Sequence, residues 1–275
     1  MSKCKTLKRS FICIVILLVV FLIFTAVGKV DAQGNHVFRL VWTENFDGND
    51  LNLDDWNKAP RTTASWASHM SDHASLYEVK KDRLRLWCRR NKGLVPGDTA
   101  TVLTAGVTTR NKHIFKYGKI EVRARMKTAQ GCWCAIWMSP NGFSQPQAEI
   151  DIMEHLNHED KVYHTVHTAF TSDTRNSKFR NQYTTVVNES KYNIYAVEIL
   201  PEAIIYYVNG REVMRYDNDS SSMRSKAETD YQYPFGLESY LLLSVHYGGM
   251  WVKGVRPSEL PAYMDIDWVK AYELD

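Results

Sequence analysis

The segment Glu149-Ile150-Asp151-Ile152-Met153-Glu154 sets three carboxylates inside an apolar, strand-like run. Carboxylates are seldom placed in such surroundings unless water, a partner or chemistry offsets the cost of desolvation. A regular strand alternates its side chains, putting Glu149, Asp151 and Met153 on one face and Ile150, Ile152 and Glu154 on the other. One extra residue, a β-bulge near Ile152-Met153, turns Glu154 onto the face of the other two acids, and bulges are frequent beside active sites. Two glutamates sharing a surface can divide the work of acid and nucleophile, the arrangement that cleaves glycosidic bonds. At a separation of about 5–5.5 Å they support a retaining, covalent route. Crowding of like charges raises one pKa, so that the acid keeps its proton while the nucleophile is ionised. Asp151, between them, can hold the arrangement by hydrogen bonding. The same spacing also fits a solvent-facing acidic strand of an antiparallel sheet.

Along Trp133-Cys134-Ala135-Ile136-Trp137-Met138, alternation separates Trp133, Ala135 and Trp137 from Cys134, Ile136 and Met138. The second set reads as the core face, which leaves both Trp residues on the opposite, cleft-facing surface. There aromatic rings stack on the C–H faces of sugars, although ordinary core Trp is the alternative. His155 and His158 read as loop residues. A metal reading of His155, His158, His164 and His167 rests on number alone, because interleaved strand spacing converges poorly on one ion. No metal is therefore expected at the site.

The elements that must position these residues are short alternating runs divided by turn chemistry. They are Phe38–Trp42, Leu84–Arg89, Lys119–Met126, Trp133–Met138, Glu149–Met153, Tyr163–Ala169, Ile194–Leu200, Ile204–Val208, Tyr240–Val245 and Met264–Tyr272. Asn209-Gly210 is a strong hairpin signal between Tyr207-Val208 and Arg211-Glu212-Val213. No long helical period competes, so the pattern predicts an all-β protein, a β-sandwich of two packed antiparallel sheets.

Lys3, Lys5, Lys8 and Arg9 precede an apolar run from Phe11 to Val27, and Val30-Asp31-Ala32 offers small residues for cleavage after Ala32. Residues 1–32 read as a secretory signal peptide, with an uncleaved membrane anchor as the alternative. The formal charge of +3 belongs largely to this leader, and residues 33–275 carry 29 Lys+Arg against 30 Asp+Glu. That balance gives no sign of a nucleic-acid or anionic-membrane partner. Residues 33–275 suit one large domain, with no visible linker. Of the cysteines beyond the leader, Cys88 and Cys134 alternate with apolar residues and read as core thiols. Together with Cys132 they form neither a disulfide framework nor a zinc spacing.

The acidic segment, preceded by Trp133 to Met138, resembles the signature of glycoside hydrolase family 16. The likeness continues through Tyr117-Gly118-Lys119-Ile120-Glu121-Val122-Arg123-Ala124-Arg125, His164-Thr165-Val166-His167 and Ile266-Asp267-Trp268-Val269-Lys270-Ala271-Tyr272. It implies a jelly-roll, concanavalin A-like sandwich with a substrate cleft on its concave sheet, and residues 33–275 as the catalytic domain. It further implies Glu149 as nucleophile, Asp151 as its assistant and Glu154 as acid/base. His167 would orient the acids from a neighbouring strand. Trp251, after Gly248-Gly249-Met250, resembles a rim residue that joins Trp133 and Trp137 in binding substrate. Two residues between Asp151 and Glu154 resemble the bulged laminarinase, agarase and galactanase-like branches.

Two departures stand out, Cys134 where many glucan-cleaving members carry Pro, and no Arg in register near Gly106-Val107. They tilt the expectation slightly toward galactosyl substrates. The resemblance thus implies a secreted, periplasmic or cell-surface, monomeric, endo-acting retaining β-glycosidase. Endo-β-galactosidase action on mucin-type O-glycans stands slightly ahead of endo-β-1,3(4)-glucanase action. The implied partner is a polysaccharide or glycan, with no stable membrane partner unless the leader is kept. A lectin on the same sandwich is the rival from another class, but a lectin has no use for two close, mutually repelling Glu residues. A transglycosylase would share the covalent intermediate. No cofactor is required. The structural Ca²⁺ of some members would draw on Asn45 and Asp267, and Asn45 lacks the charge a hard cation prefers.

Overall fold

All ten alternating runs form strands, and six more join them. The computed structural model describes residues 29, 31, 36–142, 148–172, 181–219 and 231–275. The expected leader, apart from Lys29 and Asp31, lies outside these residues. In chain order the strands are β1 Phe38–Glu44, β2 Asn57–Lys58, β3 Tyr77–Val79, β4 Leu84–Arg90, β5 Val102–Thr104, β6 Gly106–Thr108, β7 Gly118–Lys127 and β8 Cys132–Pro140. They continue with β9 Ala148–Leu156, β10 Lys161–Thr168, β11 Gln182–Val186, β12 Asn193–Ile199, β13 Ala203–Val208, β14 Arg211–Asp217, β15 Ser239–Tyr247 and β16 Ala262–Leu274.

They build two antiparallel sheets. One runs β14-β13-β12-β7-β16-β4-β3, with β1 also paired to β16 and β5 to β4; the other runs β11-β10-β9-β8-β15-β6-β2. The expected β-sandwich is therefore present. Its core lies between the sheets, filled from one side by Ile120, Val122, Ala124 and Met126 of β7 and from the other by Cys134, Ile136 and Met138 of β8. Cys88, Cys132 and Cys134 are all buried free thiols, as the alternation indicated for the first and last. The hairpin signal holds too. Asn209 and Gly210 link β13 to β14 with φ of 51° and 78°, both in the left-handed region that a two-residue hairpin turn demands.

The bulge sits on β9. Against β8, Met153 faces Ile136 while Asp151 faces Trp137; against β10, Glu154 faces Tyr163 while Asp151 faces Thr165. Ile152 and Met153 thus occupy the space of one ladder position, and both are buried in the core. The extra residue is what turns Glu154 outward.

His164, on β10 beside the bulge, is fully buried. Its Nδ1 lies 2.8 Å from the Ile152 carbonyl oxygen and its Nε2 3.0 Å from Thr185 Oγ1. A carbonyl only accepts, so Nδ1 carries the hydrogen, and the bare Nε2 accepts from the Thr185 hydroxyl. Burial pushes the His164 pKa down to about 4, consistent with this neutral form. The imidazole therefore ties the carbonyl of a bulge residue to the edge strand β11.

His164→Ala should leave the Ile152 carbonyl and the Thr185 hydroxyl short of a partner, at about 1–3 kcal/mol for each group that stays buried. Urea unfolding should show a loss of roughly 2–4 kcal/mol. His158→Ala, which removes an exposed histidine paired with Glu259, should cost less than about 1 kcal/mol. Equal costs for the two substitutions would mean that His164 does not hold the bulge.

Candidate active site

The outer face of the seven-stranded sheet is organised in cross-strand rows. One row runs Tyr163, Glu154, Ala135, Ser244 and Gly106; the next runs Thr165, Asp151, Trp137, Leu242 and Thr108. His167 faces Glu149, and His246 faces Trp133. The alternation therefore brings Glu149, Asp151, Glu154, Trp133, Trp137 and His167 onto one surface. Gly106 is closely packed, since a Cβ there would come within 3.1–3.2 Å of Ser244, Ala59 and Met70 and would require them to shift.

Asp151 and Glu154 each expose only 3 % of their surface. Burial acts first on all three acids and raises their pKa values. Glu149 is pushed up to about 7 by burial and by the Asp151 charge, against a smaller opposing pull from His167. Burial, then Asp151 and Glu149, hold Glu154 well above the usual carboxylate range, and the Trp133 hydrogen bond acts in the other direction. Asp151 is raised by burial and drawn back by His167. His167 Nε2 lies 3.3 Å from Asp151 Oδ2, a close pairing that is poorly aligned as a hydrogen bond. The neighbouring Asp151 holds the His167 pKa up against burial, with Glu149 adding to it.

The tryptophans divide. Trp133 is half-buried and donates its Nε1 hydrogen to Glu154 Oε1 at 3.0 Å. Trp251 meets Trp133 edge to face at 5.1 Å and Tyr163 at 5.5 Å. Trp137 lies on the expected face but differs from an open stacking platform. Only 8 % of it is exposed, because Trp66 packs edge-on against it at 5.1 Å. Trp66 was not anticipated; the available signal was a single Trp in the polar loop Arg61-Thr62-Thr63-Ala64-Ser65-Trp66. Bidentate pairing of Arg61 with Asp98, at 2.9 and 2.7 Å, fastens that loop. Ser244 and His246 were missed as well, although Tyr240, Leu242, Ser244 and His246 alternate with the core residues Leu241, Leu243 and Val245.

The four histidines considered for a metal end on separate partners. His155 Nε2 meets the Glu159 carbonyl, His158 meets Glu259, His164 meets Ile152 and Thr185, and His167 meets Asp151. His155 corrects the loop expectation, being a buried residue of β9 opposite Cys134. The pair raised for calcium does not suit a hard cation, because Asn45 is an exposed neutral amide and the Asp267 carboxylate is already engaged by Arg123.

With this geometry in view, the likeness to known proteins can be placed. The keratan-sulfate endo-1,4-beta-galactosidase of Sphingobacterium multivorum is 30 % identical over 243 residues, covering 86 % of this chain and 56 % of that protein. The beta-glucanase of Rhodothermus marinus is 31 % identical over 179 residues, covering 62 % of each. The chain thus spans less than two thirds of the length of either relative. The X-ray structure of the laminarinase from Rhodothermus marinus superposes with a TM-score of 0.75 at 26 % identity, covering 87 % of this chain and 99 % of that one. The sequence profile of glycosyl hydrolases family 16 matches residues 62–270, and the chain belongs to that family.

Proposed function

We propose that the chain is an endo-acting retaining β-glycosidase, with Glu149 as nucleophile, Glu154 as acid/base and Asp151, backed by His167, holding the pair in register. The observation that carries the reading is the bulge, which gathers three acids onto one face and leaves two of them almost wholly buried. In the first step Glu149 attacks the anomeric carbon while Glu154 protonates the leaving oxygen. Water then releases the sugar, with Glu154 acting as base. The raised proton affinity of Glu154 suits the first half of that cycle. Loss of the Glu149 charge in the ester lowers the affinity for the second half. Trp133, Trp251, Tyr163 and Trp66 would form the sugar-facing aromatic wall. Internal β-galactosidic linkages of a host or mucin-type glycan are the favoured target, supported by the endo-β-galactosidase relative. A β-1,3(4)-glucan is the second reading, supported by the glucanase and laminarinase likenesses. Residues 1–32 would deliver the enzyme outside the cytoplasm. Digestion of laminarin, mixed-linkage glucan, agarose, porphyran and mucin O-glycans, with products read by size and linkage, separates these targets. Cleavage of none of the five would sink the substrate reading.

On the substrate found, Glu149→Gln should lose turnover while keeping saccharide binding, since an amide cannot form the glycosyl ester. Azide added to Glu149→Ala with an aryl β-glycoside should yield the glycosyl azide of inverted configuration. Activity of Glu149→Gln within about tenfold of the parent would remove Glu149 from the nucleophile role.

The raised pKa values also set a stability profile. A carboxyl whose folded pKa lies above its unfolded one contributes stability in acid that is lost as pH rises through the folded value. For Glu149 that window runs from its ordinary value to about 7. Glu149→Gln, which cannot ionise, should exceed the parent in stability by on the order of 2–3 kcal/mol at pH 8 and match it at pH 4. Urea titrations at the two pH values check this, and equal stability at both would mean that burial does not perturb Glu149.

Asp151→Asn removes the negative charge that contributes most to the raised Glu154 pKa after burial. The Glu154 proton should then leave at lower pH, moving the basic limb of the kcat/KM profile downward. A limb that stays in place, or moves up, would uncouple Asp151 from the acid.

A further inference from the structure

The surface that carries the acids holds a second polar chain that no step above uses. Ser244 and His246, two apart on β15, are both buried on that face. Trp137 Nε1 donates to Ser244 Oγ at 3.0 Å, and His246 Nε2 lies 2.7 Å from the same oxygen. An indole nitrogen can only donate, so Ser244 Oγ accepts from Trp137, and its second hydrogen bond joins it to His246 Nε2. The other ring nitrogen, His246 Nδ1, is buried without a partner among the described residues. Burial pushes the His246 pKa down to about 3, which keeps the imidazole neutral. The Ser244 contact also fixes the rotation of the imidazole ring, which an apolar ring of the same shape would leave free.

The fixed ring meets Trp133 edge to face, with centroids 4.5 Å apart and planes at 83°, and it meets Trp66 at 5.7 Å. Trp133 is also in edge contact with Trp251 at 5.1 Å. These contacts restrict the Trp133 indole, whose Nε1 ends 3.0 Å from Glu154 Oε1. The other oxygen, Glu154 Oε2, is buried without a partner among the described residues. We propose that the Ser244–His246 pair is a positioning unit: by fixing the Trp133 indole, it fixes the hydrogen bond to Glu154 and with it the proton affinity of that carboxyl. The titratable groups around Glu154 are Asp151 and Glu149 on its own strand, Tyr163 and His167 on β10, and Tyr206 on β13 of the other sheet. Burial and the two acids push its proton affinity up. Trp133 is the group that pulls it down.

The consequence for turnover rests on the reading of Glu154 as acid/base. The consequence for its titration does not. The test is a pH titration of side-chain carboxyls by NMR in protein labelled with ¹³C-glutamate, with the Glu154 signal assigned by its loss in Glu154→Gln. Trp133→Phe deletes a donor to the ionised carboxyl and should raise the Glu154 midpoint by about half a pH unit or more. His246→Phe and Ser244→Ala should raise it in the same direction. His246→Gln, whose side-chain amide can hydrogen-bond Ser244 Oγ as donor or acceptor, should move it back toward the parent value. In the Trp133→Phe/His246→Phe double variant the rise should equal that of Trp133→Phe alone, because His246 acts through the indole. Should His246→Phe fail to melt cooperatively, Ser244→Ala carries the same comparison. An unmoved midpoint in the folded β15 variants, or shifts that add in the double variant, would overturn the proposal. Titrations that follow the expected pattern in a protein whose Glu154→Gln form still cleaves substrate would leave the positioning unit standing and remove the acid/base reading.

Discussion

Two consecutive side chains of one strand, Ile152 and Met153, both enter the core, and the placement of Glu154 beside the other two acids follows from that constraint. A regular strand would carry Met153 to the wet face and drive Glu154 inward, because a shift of one residue exchanges the faces. Burying an apolar side chain of this size contributes about 1.5–3 kcal/mol, and an unpaired carboxylate in the sandwich core would cost several times that. Both effects favour the bulged register. What the bulge sacrifices is regular ladder pairing, and His164 restores a donor to the Ile152 carbonyl. The segment thus selects its own irregularity, and the neighbouring strand supplies the group that accommodates it.

The cost appears in the electrostatics. Three carboxyls whose proton affinities are raised by burial share one face, with His167 as the cation-forming side chain paired to them. Such an arrangement destabilises the folded chain at neutral pH and is kept where chemistry needs groups of unequal proton affinity. The inequality has identifiable sources. Glu149 is the least enclosed of the three and faces His167 across the ladder, whereas Glu154 is buried deeper and, among the described residues, receives only the indole hydrogen of Trp133. Asp151, facing His167, transmits charge to both.

The sandwich and the acid face were legible because alternation with period two is a local signal, and the ten runs carried enough apolar residues to declare their faces. The bulge carried no period of its own; it was legible because one extra residue sets Glu154 on the face of Glu149 and Asp151, and because two residues between Asp151 and Glu154 resemble the bulged branches of the family. Short strands such as β2, β3, β5 and β6 were not legible, since two or three residues carry no period and their pairing is fixed by distant partners. The loop that brings Trp66 over Trp137 is likewise set by tertiary contacts, among them Arg61 with Asp98. Trp137 shows the limit from the other side. Alternation assigned its face correctly, but exposure depends on what folds over that face, and a residue some seventy positions earlier in the chain covers it.

Histidine is where sequence reading had least purchase, because identity says little about ionisation. His164 receives the Thr185 hydroxyl hydrogen at Nε2, His246 Nε2 is hydrogen-bonded to Ser244 Oγ, and burial keeps both neutral. His167 faces Asp151 and Glu149 instead, and its pKa rises. The difference matters for the acids between them. A cation at the position of His246, one ring away from Glu154, would favour the ionised carboxyl and, on the acid/base reading, remove the proton that Glu154 would deliver. A neutral ring held by a serine can fix the geometry of Trp133 without that penalty. On the other flank Asp151 and Glu149 raise the His167 pKa, and a charge there would offset the repulsion between Asp151 and an ionised Glu149. On the proposed reading, orientation and charge compensation thus fall to histidines in opposite environments.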